Sequence, residues 1–273
     1  NNMYAKKRSK GRVFCAGDAT HRHPPSNGLG SNTSIQDGFN LAWKLAYVIK
    51  DKAGAELLDT YSIERSPIAK QIVTRANQSI AEFGPIFEAL GLTDTQDPVK
   101  MKKNMDERKQ NSPKAEKQRQ ALREAIAFKK YEFDAHGVEM NHRYKSNSVL
   151  TEGDKEPEFK KDKELFYEPT TYPGARIPHA WVYDKTGVKH SLLDLCGKGN
   201  FSIFTGIGGE EWLKAAKNIE KQLGIKIQCN IIGPDQDFED HAGEWSSIRE
   251  ISDSGLILAV SYTHLRAHET CLD

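Results

Sequence analysis

The feature that most constrains this protein is a loop rich in glycine and proline that joins a short strand pattern to a long helix pattern. Residues 12–15 form a brief apolar run, residues 17–31 form the loop, and apolar residues at helical spacing follow. A strand that leads through such a loop into a helix start is where open α/β sheets usually place ligands. The pattern predicts an α/β fold with a candidate ligand site near the beginning of the sequence.

Two overlapping patterns predict where that helix begins. Either Thr33 with Gln36 or Ser34 with Asp37 has the spacing of a capping box, in which side chains satisfy the free backbone N–H groups of a helix start. The apolar residues that follow cover more than one side, so we expect the helix to be buried on most sides. These residues are Ile35, Phe39, Leu41, Ala42, Trp43, Leu45, Val48 and Ile49.

The loop carries groups that suit a ligand with two different ends. Asp18 follows the strand pattern with a lone carboxylate, which can accept hydrogen bonds from sugar-type hydroxyls. Gly28 and Gly30 let the backbone approach a ligand closely, just before a helix start whose free N–H groups favour negative charge. The alternative is a plain turn that binds nothing, because Gly/Pro-rich turns between a strand and a helix are common.

Charge and composition narrow the class of partner. The 273 residues include 39 basic and 38 acidic ones, so no broad charged surface predicts binding to nucleic acid or to an anionic membrane. No apolar segment approaches the ~20 residues needed to span a bilayer. Cys15, Cys196, Cys229 and Cys271 form no C-x-x-C pair, and no signal-peptide pattern precedes them. We expect a cytoplasmic protein that binds a small molecule.

The middle of the sequence predicts helices and then a junction. Ser66 and Pro67 have the pattern of an N-cap and a first helical residue, and an apolar stripe follows as far as Gly84. Residues 100–130 carry dense charges of both signs, which is typical of a solvated helical excursion. Polar residues with weak periodicity fill 131–171, where we expect the domain junction. The stripe consists of Ile68, Ile72, Ala76, Ile80 and Phe83.

The pattern after the junction predicts a small α/β domain. Residues 181–183 and 188–192 flank a turn, which indicates a hairpin. Further on, the order strand, helix, strand extends over 201–232, with the helix at 210–223 ended by Gly224. Such a β-α-β order is typical of an α/β sheet.

A resemblance gives the loop a specific interpretation. The pattern G-R-V-F-x-A-G-D-A-x-H-x-x-P-P-x-x-G-x-G-x-N-x-x-x-x-D-x-x-N-L-x-W-K-L, from Gly11 to Leu45, resembles the second FAD-binding motif of class A flavoprotein monooxygenases. The resemblance implies that Asp18 binds the ribityl group of FAD and that Pro25 lies beside the isoalloxazine ring. Backbone N–H groups of residues 30–32 would lie near the pyrimidine edge of the flavin. The implied cofactor-binding set is Gly17, Asp18, Pro25, Gly28, Gly30, Ser31 and Asn32.

More distant segments narrow the branch of the family. Residues 61–65, 141–146, 173–181 and 193–199 resemble phenol hydroxylases, and most closely the 2,4-dichlorophenol 6-monooxygenase-like group. The resemblance implies an enzyme that uses NAD(P)H and O2 to hydroxylate a phenol ortho to its hydroxyl. It also implies a thioredoxin-like C-terminal domain that is redox-inactive and helps to form a homodimer. The absence of C-x-x-C agrees with that implication.

Two departures from the family pattern predict how the protein is organised. The sequence contains neither the G-x-G-x-x-G fingerprint for the FAD pyrophosphate nor the mid-sequence D-G motif of the family. We therefore expect a C-terminal fragment that is inactive alone. No catalytic residue is predicted in it. The expected fold is the C-terminal remainder of a Rossmann-type FAD-binding domain with helices, followed by a thioredoxin-like α/β domain. Its parts are a partial FAD-binding domain at 1–130, a junction at 131–171, a thioredoxin-like domain at 172–258 and a non-native tail, resembling translated vector, at 259–273.

Two further functions compete with this prediction. The protein could act only as a non-catalytic association module, or belong to another class of flavin enzyme, such as an epoxidase, that shares the second motif. His21 matches a family position and either shapes the flavin loop or simply packs. His21 and His23, taken with His179 or His190, do not complete a usual ligand spacing, so no metal is predicted.

Overall fold

The first part of the molecule is built on two long helices and two small ribbons. A computed structural model describes residues 3–151, 153 and 155–260, and the backbone of 263–268. The elements are β1 (Met3–Tyr4), β2 (Ser9–Lys10), β3 (Val13–Phe14), β4 (His21–Arg22), α1 (Leu29–Ile49) and α2 (Asp59–Ala81). Antiparallel pairing joins β1 to β4 and β2 to β3.

Helix α1 begins five to six residues earlier than predicted. Gly28 precedes it with φ of 63°, a left-handed conformation that glycine adopts without steric cost and that turns the backbone into the helix. Thr33 and Ser34 therefore lie inside the helix, and both predicted capping boxes are wrong. The Ser34 hydroxyl instead donates a 2.9 Å hydrogen bond to the Gly30 carbonyl, one turn back.

The buried face of α1 is polar, which the hydrophobic pattern did not predict. Ile35 is 69% exposed and Ile49 is 76% exposed, so the prediction of burial on most sides is wrong. The reason lies in α2, because its charged side chains supply partners for buried polar groups of α1. The buried residues of α1 are Leu29, Thr33, Asp37, Asn40 and Lys44.

Helix α2 runs straight through the predicted start at Ser66 and Pro67, so that prediction is also wrong. The Ser66 hydroxyl donates to the Lys6 carbonyl at 3.1 Å and thereby joins α2 to the first strands. Ile68 and Ile72 of the predicted stripe are buried. Its far end is not, because Ile80 is 47% exposed.

A series of shorter helices extends from the end of α2. The buried Lys129 ammonium donates to the Ser79 carbonyl at 2.8 Å, which fastens the end of this excursion to α2. The amide nitrogen of Asn27 donates to the carbonyls of Tyr131 and Glu132, at 2.7 and 3.2 Å. The helices are α3 (Gly84–Ala89), α4 (Pro98–Asp106), α5 (Pro113–Ala127), α6 (Lys130–Phe133) and α7 (His136–Met140).

The C-terminal part contains the predicted hairpin and β-α-β unit. Its elements are β5 (Trp181–Asp184), β6 (Lys189–Ser191), β7 (Phe201–Thr205), α8 (Glu210–Leu223), β8 (Ile227–Ile231), β9 (Phe238–Glu239), α9 (Glu244–Ile248), β10 (Leu256–Val260) and β11 (Thr263–His268). The larger sheet has the order β11-β10-β7-β8, in which β7 and β8 are parallel and joined through α8, and β10 is antiparallel to β7. Helix α8 ends before Gly224, whose φ is 59°.

An apolar core fills the C-terminal part, and Tyr47 of α1 contacts that part at its surface. The Tyr47 hydroxyl donates to the Gly199 carbonyl at 2.9 Å, and the Tyr47 ring meets the Phe201 ring edge-on with centroids 5.5 Å apart. The helices and sheets described above confirm the predicted α/β class. The domain limits remain predictions. The core residues include Ile177, Ala180, Val182, Leu192, Phe204, Trp245, Ile257 and Ala259.

The segment predicted to be a non-native tail is partly described. Its first residues, Ala259 and Val260, complete strand β10 and are buried. Strand β11 pairs its backbone with β10. Residues 261, 262 and 269–273 lie outside the described residues, and the origin of the tail remains a prediction. No helix within the described part of the protein is long and apolar enough to cross a membrane.

Candidate functional site

A cleft of about 410 Å³ opens at the N-terminus of α1. One wall comes from the turn at Gly17–Ala19 and from β4, and the other comes from the helix start itself. The residues that line it are Asp18, His21, Arg22, His23, Pro25, Gly28, Gly30 and Ser31.

The walls of the cleft differ in charge character. Asp18 is exposed on its single turn of 3-10 helix and brings a carboxylate to one side. On the other side, the first backbone N–H groups of α1 have no acceptor within the helix, and its dipole adds partial positive charge. The cleft can therefore bind hydroxyl donors at one end and an electron-rich group at the other.

A buried carboxylate fixes the turn beneath the cleft. Asp37 is fully buried, and its Oδ2 accepts a hydrogen bond from the Gly17 backbone N–H at 3.2 Å. The same carboxylate pairs with Arg8 at 2.6 Å and with Arg65 at 2.7 Å. His21 Nε2 lies 3.2 Å from Asp37 Oδ2. One residue of α1 thus ties the loop, the first strands and α2 together.

The charge state of Asp37 follows from these contacts. Burial alone would raise the pKa of its carboxyl. The hydrogen bond from His21 and the positive charges of Arg65 and Arg8 outweigh burial and hold the pKa well below its usual range. Asp37 is consequently ionised throughout the neutral and mildly acidic range of pH.

A second buried pair lies farther along α1. The Lys44 ammonium is 2.6 Å from Glu64 Oε2, and it also donates to the Thr60 hydroxyl at 2.7 Å. The other oxygen of Glu64 accepts from the hydroxyls of Ser146 and Ser148, at 2.7 and 3.0 Å. Burial lowers the pKa of Lys44, against the opposing effect of Glu64. The pair attaches the segment after α7 to the two long helices.

Five of the seven predicted cofactor residues line the one cleft: Asp18, Pro25, Gly28, Gly30 and Ser31. Gly17 and Asn32 are not among its lining residues. Gly17 lies beneath it, with φ of 60°, and a Cβ atom there would approach the Ser34 hydroxyl to 2.9 Å. Asn32 is exposed and donates from its amide to the Gly28 carbonyl at 3.3 Å.

The structure adds three residues that the predicted set omits. His21, Arg22 and His23 also line the cleft, and the two imidazole rings stack with centroids 5.9 Å apart. Their position in the same loop as the predicted residues could have indicated in advance that they line the site. Asp37 gave a weaker signal. A charged residue on a largely apolar helix can be buried only beside a partner, and the local sequence does not show which residue that partner is. Within the described residues, no three His, Cys, Asp or Glu side chains group as metal ligands.

Comparison with known sequences identifies relatives of the protein. Residues 1–76 match the family model described as FAD binding domain. The sequence is 53% identical, over all of its length and 46% of the relative, to 2,4-dichlorophenol 6-monooxygenase from Cupriavidus pinatubonensis (strain JMP 134 / LMG 1197). It is 49% identical, over 97% of its length and 44% of the relative, to phenol 2-monooxygenase from Pseudomonas sp. (strain EST1001). It thus spans less than half the length of these relatives.

A solved structure agrees with the sequence relatives. The flavin-dependent monooxygenase PieE, crystallised with FAD and substrate, superposes with a TM-score of 0.93 at 38% identity. The match covers 98% of this sequence and 46% of that one. The FAD-motif resemblance and the phenol hydroxylase-like grouping are thereby confirmed. Over nearly all of its length this protein is similar to flavin-dependent monooxygenases of the phenol hydroxylase-like group, and residues 1–76 carry the match to the FAD binding domain family.

Proposed function

We propose that the enzyme of which this sequence is part hydroxylates a phenolic substrate with FAD, NAD(P)H and O2, and that the residues described here supply one wall of the flavin site. The observation that carries the proposal is the cleft at the start of α1, which gathers Asp18, Pro25, Gly28, Gly30 and Ser31. Two of the relatives, a 2,4-dichlorophenol 6-monooxygenase and a phenol 2-monooxygenase, support the substrate class.

The chemistry of the cleft fits a flavin. The Asp18 carboxylate would accept hydrogen bonds from hydroxyls of the ribityl group. The N–H groups of residues 30–32 would donate to the pyrimidine edge, and the dipole of the 21-residue α1 would stabilise negative charge there. Pro25 would lie against the ring. When bound, FAD supplies the redox chemistry that activates O2, while the protein binds, orients and shields it.

The other roles follow from the same family. We place the partial FAD-binding domain at 1–130, the junction at 131–171 and a thioredoxin-like domain at 172–258. The C-terminal domain would associate with a second copy in a homodimer, as the resemblance implies. The catalytic groups that touch the phenol would belong to parts of the relatives beyond the region matched here.

Flavin binding by the purified protein tests the proposal. We expect a yellow protein that retains FAD through gel filtration, and Asp18→Ala should weaken FAD binding about tenfold or more, because hydrogen bonds to a charged group are lost. Glu88→Ala, an exposed carboxylate on α3, is the matched control and should not change the affinity. A colourless protein that elutes as a dimer would contradict a flavin wall and favour the association function.

A further inference from the structure

A second cavity, separate from the flavin cleft, lies between α1 and the end of α7 together with residues that follow it. Its volume is about 240 Å³, and it shares no lining residue with the cleft. The residues that line it are Ile35, Gln36, Phe39, Asn40, Trp43, Glu139, Met140, His142, Tyr144, Gly174 and Arg176.

One wall of this cavity is apolar and aromatic. Ile35, Phe39 and Trp43 follow one another at four-residue intervals, so they form a single stripe along α1. Met140 contributes a flexible thioether to the lining. Ile35 and Phe39 of this stripe are exposed, at 69% and 44%. An apolar cavity of about 150 Å³ is enough to hold benzene, so the larger space here suits a substituted single ring.

Two amide side chains beside that stripe have unused acceptors. The carbonyl oxygens of Gln36 and Asn40 are buried and have no hydrogen-bond partner among the described residues. The orientation of Asn40 is settled, because its amide nitrogen donates to the Glu64 carboxylate at 2.7 Å, which leaves Oδ1 as the free end. Asn40 is only 7% exposed, so its unsatisfied acceptor carries a free-energy cost that a donor could relieve.

The opposite side of the cavity provides another acceptor. His142 Nε2 lies 2.9 Å from the Val138 carbonyl, which can only accept, so Nε2 carries the ring hydrogen. Burial lowers the pKa of His142 to about 3, and the neutral ring therefore presents Nδ1 as an acceptor. Arg176 and Glu139 bring opposite charges to the lining, which favours a neutral ligand.

We propose that this cavity binds a neutral single-ring aromatic compound that carries a hydrogen-bond donor, with phenol as the simplest example. The ring packs against Ile35, Phe39 and Trp43, and the hydroxyl donates to an amide carbonyl of Gln36 or Asn40 or to His142. The site does not rest on the proposed flavin function, because none of its residues belongs to the flavin cleft.

Binding of three matched ligands to the purified protein tests the chemistry. Isothermal titration calorimetry with phenol, anisole and toluene separates the need for a ring from the need for a donor. We expect phenol to bind about fivefold or more tightly than anisole and toluene, since neither of these can donate. Gln36→Leu should reduce that preference for phenol. Equal affinities for the three ligands, or no binding of phenol, would overturn the proposal.

Filling the cavity tests its location. Ile35→Trp places a large indole in the space and should abolish phenol binding, with folding checked by circular dichroism. The matched control is Ile63→Trp, because Ile63 is a comparably exposed isoleucine on α2, at 50%, and does not line the cavity. Phenol binding that survives Ile35→Trp, or that is lost equally in Ile63→Trp, would place the ligand elsewhere.

Discussion

Around Asp37 the interior of this protein consists of charged groups, whereas the interior beneath β7 and β10 consists of aliphatic and aromatic ones. The first region sets a carboxylate between Arg8 and Arg65, all of them buried. The second packs apolar side chains such as Leu192 and Phe204 into one cluster. Charged pairs require specific geometry, while apolar burial tolerates changes that preserve volume. The loop of the cleft at the start of α1 thus depends on charged pairs, which tolerate substitution less well than apolar packing does.

The largest effect expected from this contrast is that of Asp37→Asn. The substitution leaves Arg8 and Arg65 buried without a counter-charge, so the free energy of unfolding should fall by about 3–5 kcal/mol. Urea unfolding at neutral pH, followed by circular dichroism, measures it. Glu88→Ala removes an exposed carboxylate and should change stability by less than about 0.5 kcal/mol. Similar losses in both variants would mean that the Asp37 pairs contribute little.

The apolar region is tested by Leu192→Ala. Leu192 is fully buried, so the substitution should lower the free energy of unfolding by about 2–5 kcal/mol through lost burial and a cavity. Leu192→Met keeps the volume and should cost less than about 1.5 kcal/mol. Urea unfolding followed by tryptophan fluorescence reports on this region through Trp181, Trp212 and Trp245. Equal costs for the two substitutions would argue against close packing there.

Acid should affect the two regions differently. The pKa of Asp37 is held below its ordinary value of 3.8, so its contribution to stability is present above that value and is lost as the pH falls. The stability difference between the wild-type protein and Asp37→Asn should shrink by about 2 kcal/mol between about pH 5 and about pH 2.5. The corresponding difference for Leu192→Ala should stay constant. A parallel decline in both would remove Asp37 as the cause.

The smallest effect concerns the contact between the two regions. Tyr47→Phe removes the hydrogen bond to the Gly199 carbonyl and should cost about 0.5–1.5 kcal/mol. The expected signature is a wider separation between the unfolding of the two regions in urea, because less joins them. Tyr183→Phe, on β5, removes a hydroxyl without touching this contact and should leave the separation unchanged. If both variants behave alike, the Tyr47 bond does not couple the regions.

The same contrast explains how much could be predicted from the sequence. In the C-terminal part, hydrophobic periodicity and turn residues predicted the hairpin, α8 and its end at Gly224, because burial there follows apolar character. In the first part, the same rules misplaced the starts of α1 and α2. They assigned Asp37 to a capping box and gave Lys44 no buried role, although both are buried against charges on another helix. Partners distant in sequence cannot be inferred from local pattern.

The candidate site was predictable where its residues are contiguous. Asp18, Pro25, Gly28, Gly30 and Ser31 come from one stretch of sequence. Loop chemistry already indicated Asp18, Gly28 and Gly30, and the motif resemblance added Pro25 and Ser31. The second cavity was not predictable, because it joins α1 to a segment about a hundred residues later. Its aromatic stripe instead gave the false expectation of a buried helix.

The bonds of Asn27 to the carbonyls of Tyr131 and Glu132 have a consequence for sequence divergence. Both acceptors are backbone groups, so almost any residue at those two positions preserves them. Lys129 fixes the same end of the helical excursion to α2. Homologues can therefore lengthen, shorten or rewrite the helices from α3 to α5 while the loop at the start of α1 keeps its shape, provided that the returning backbone presents its carbonyls at the same place.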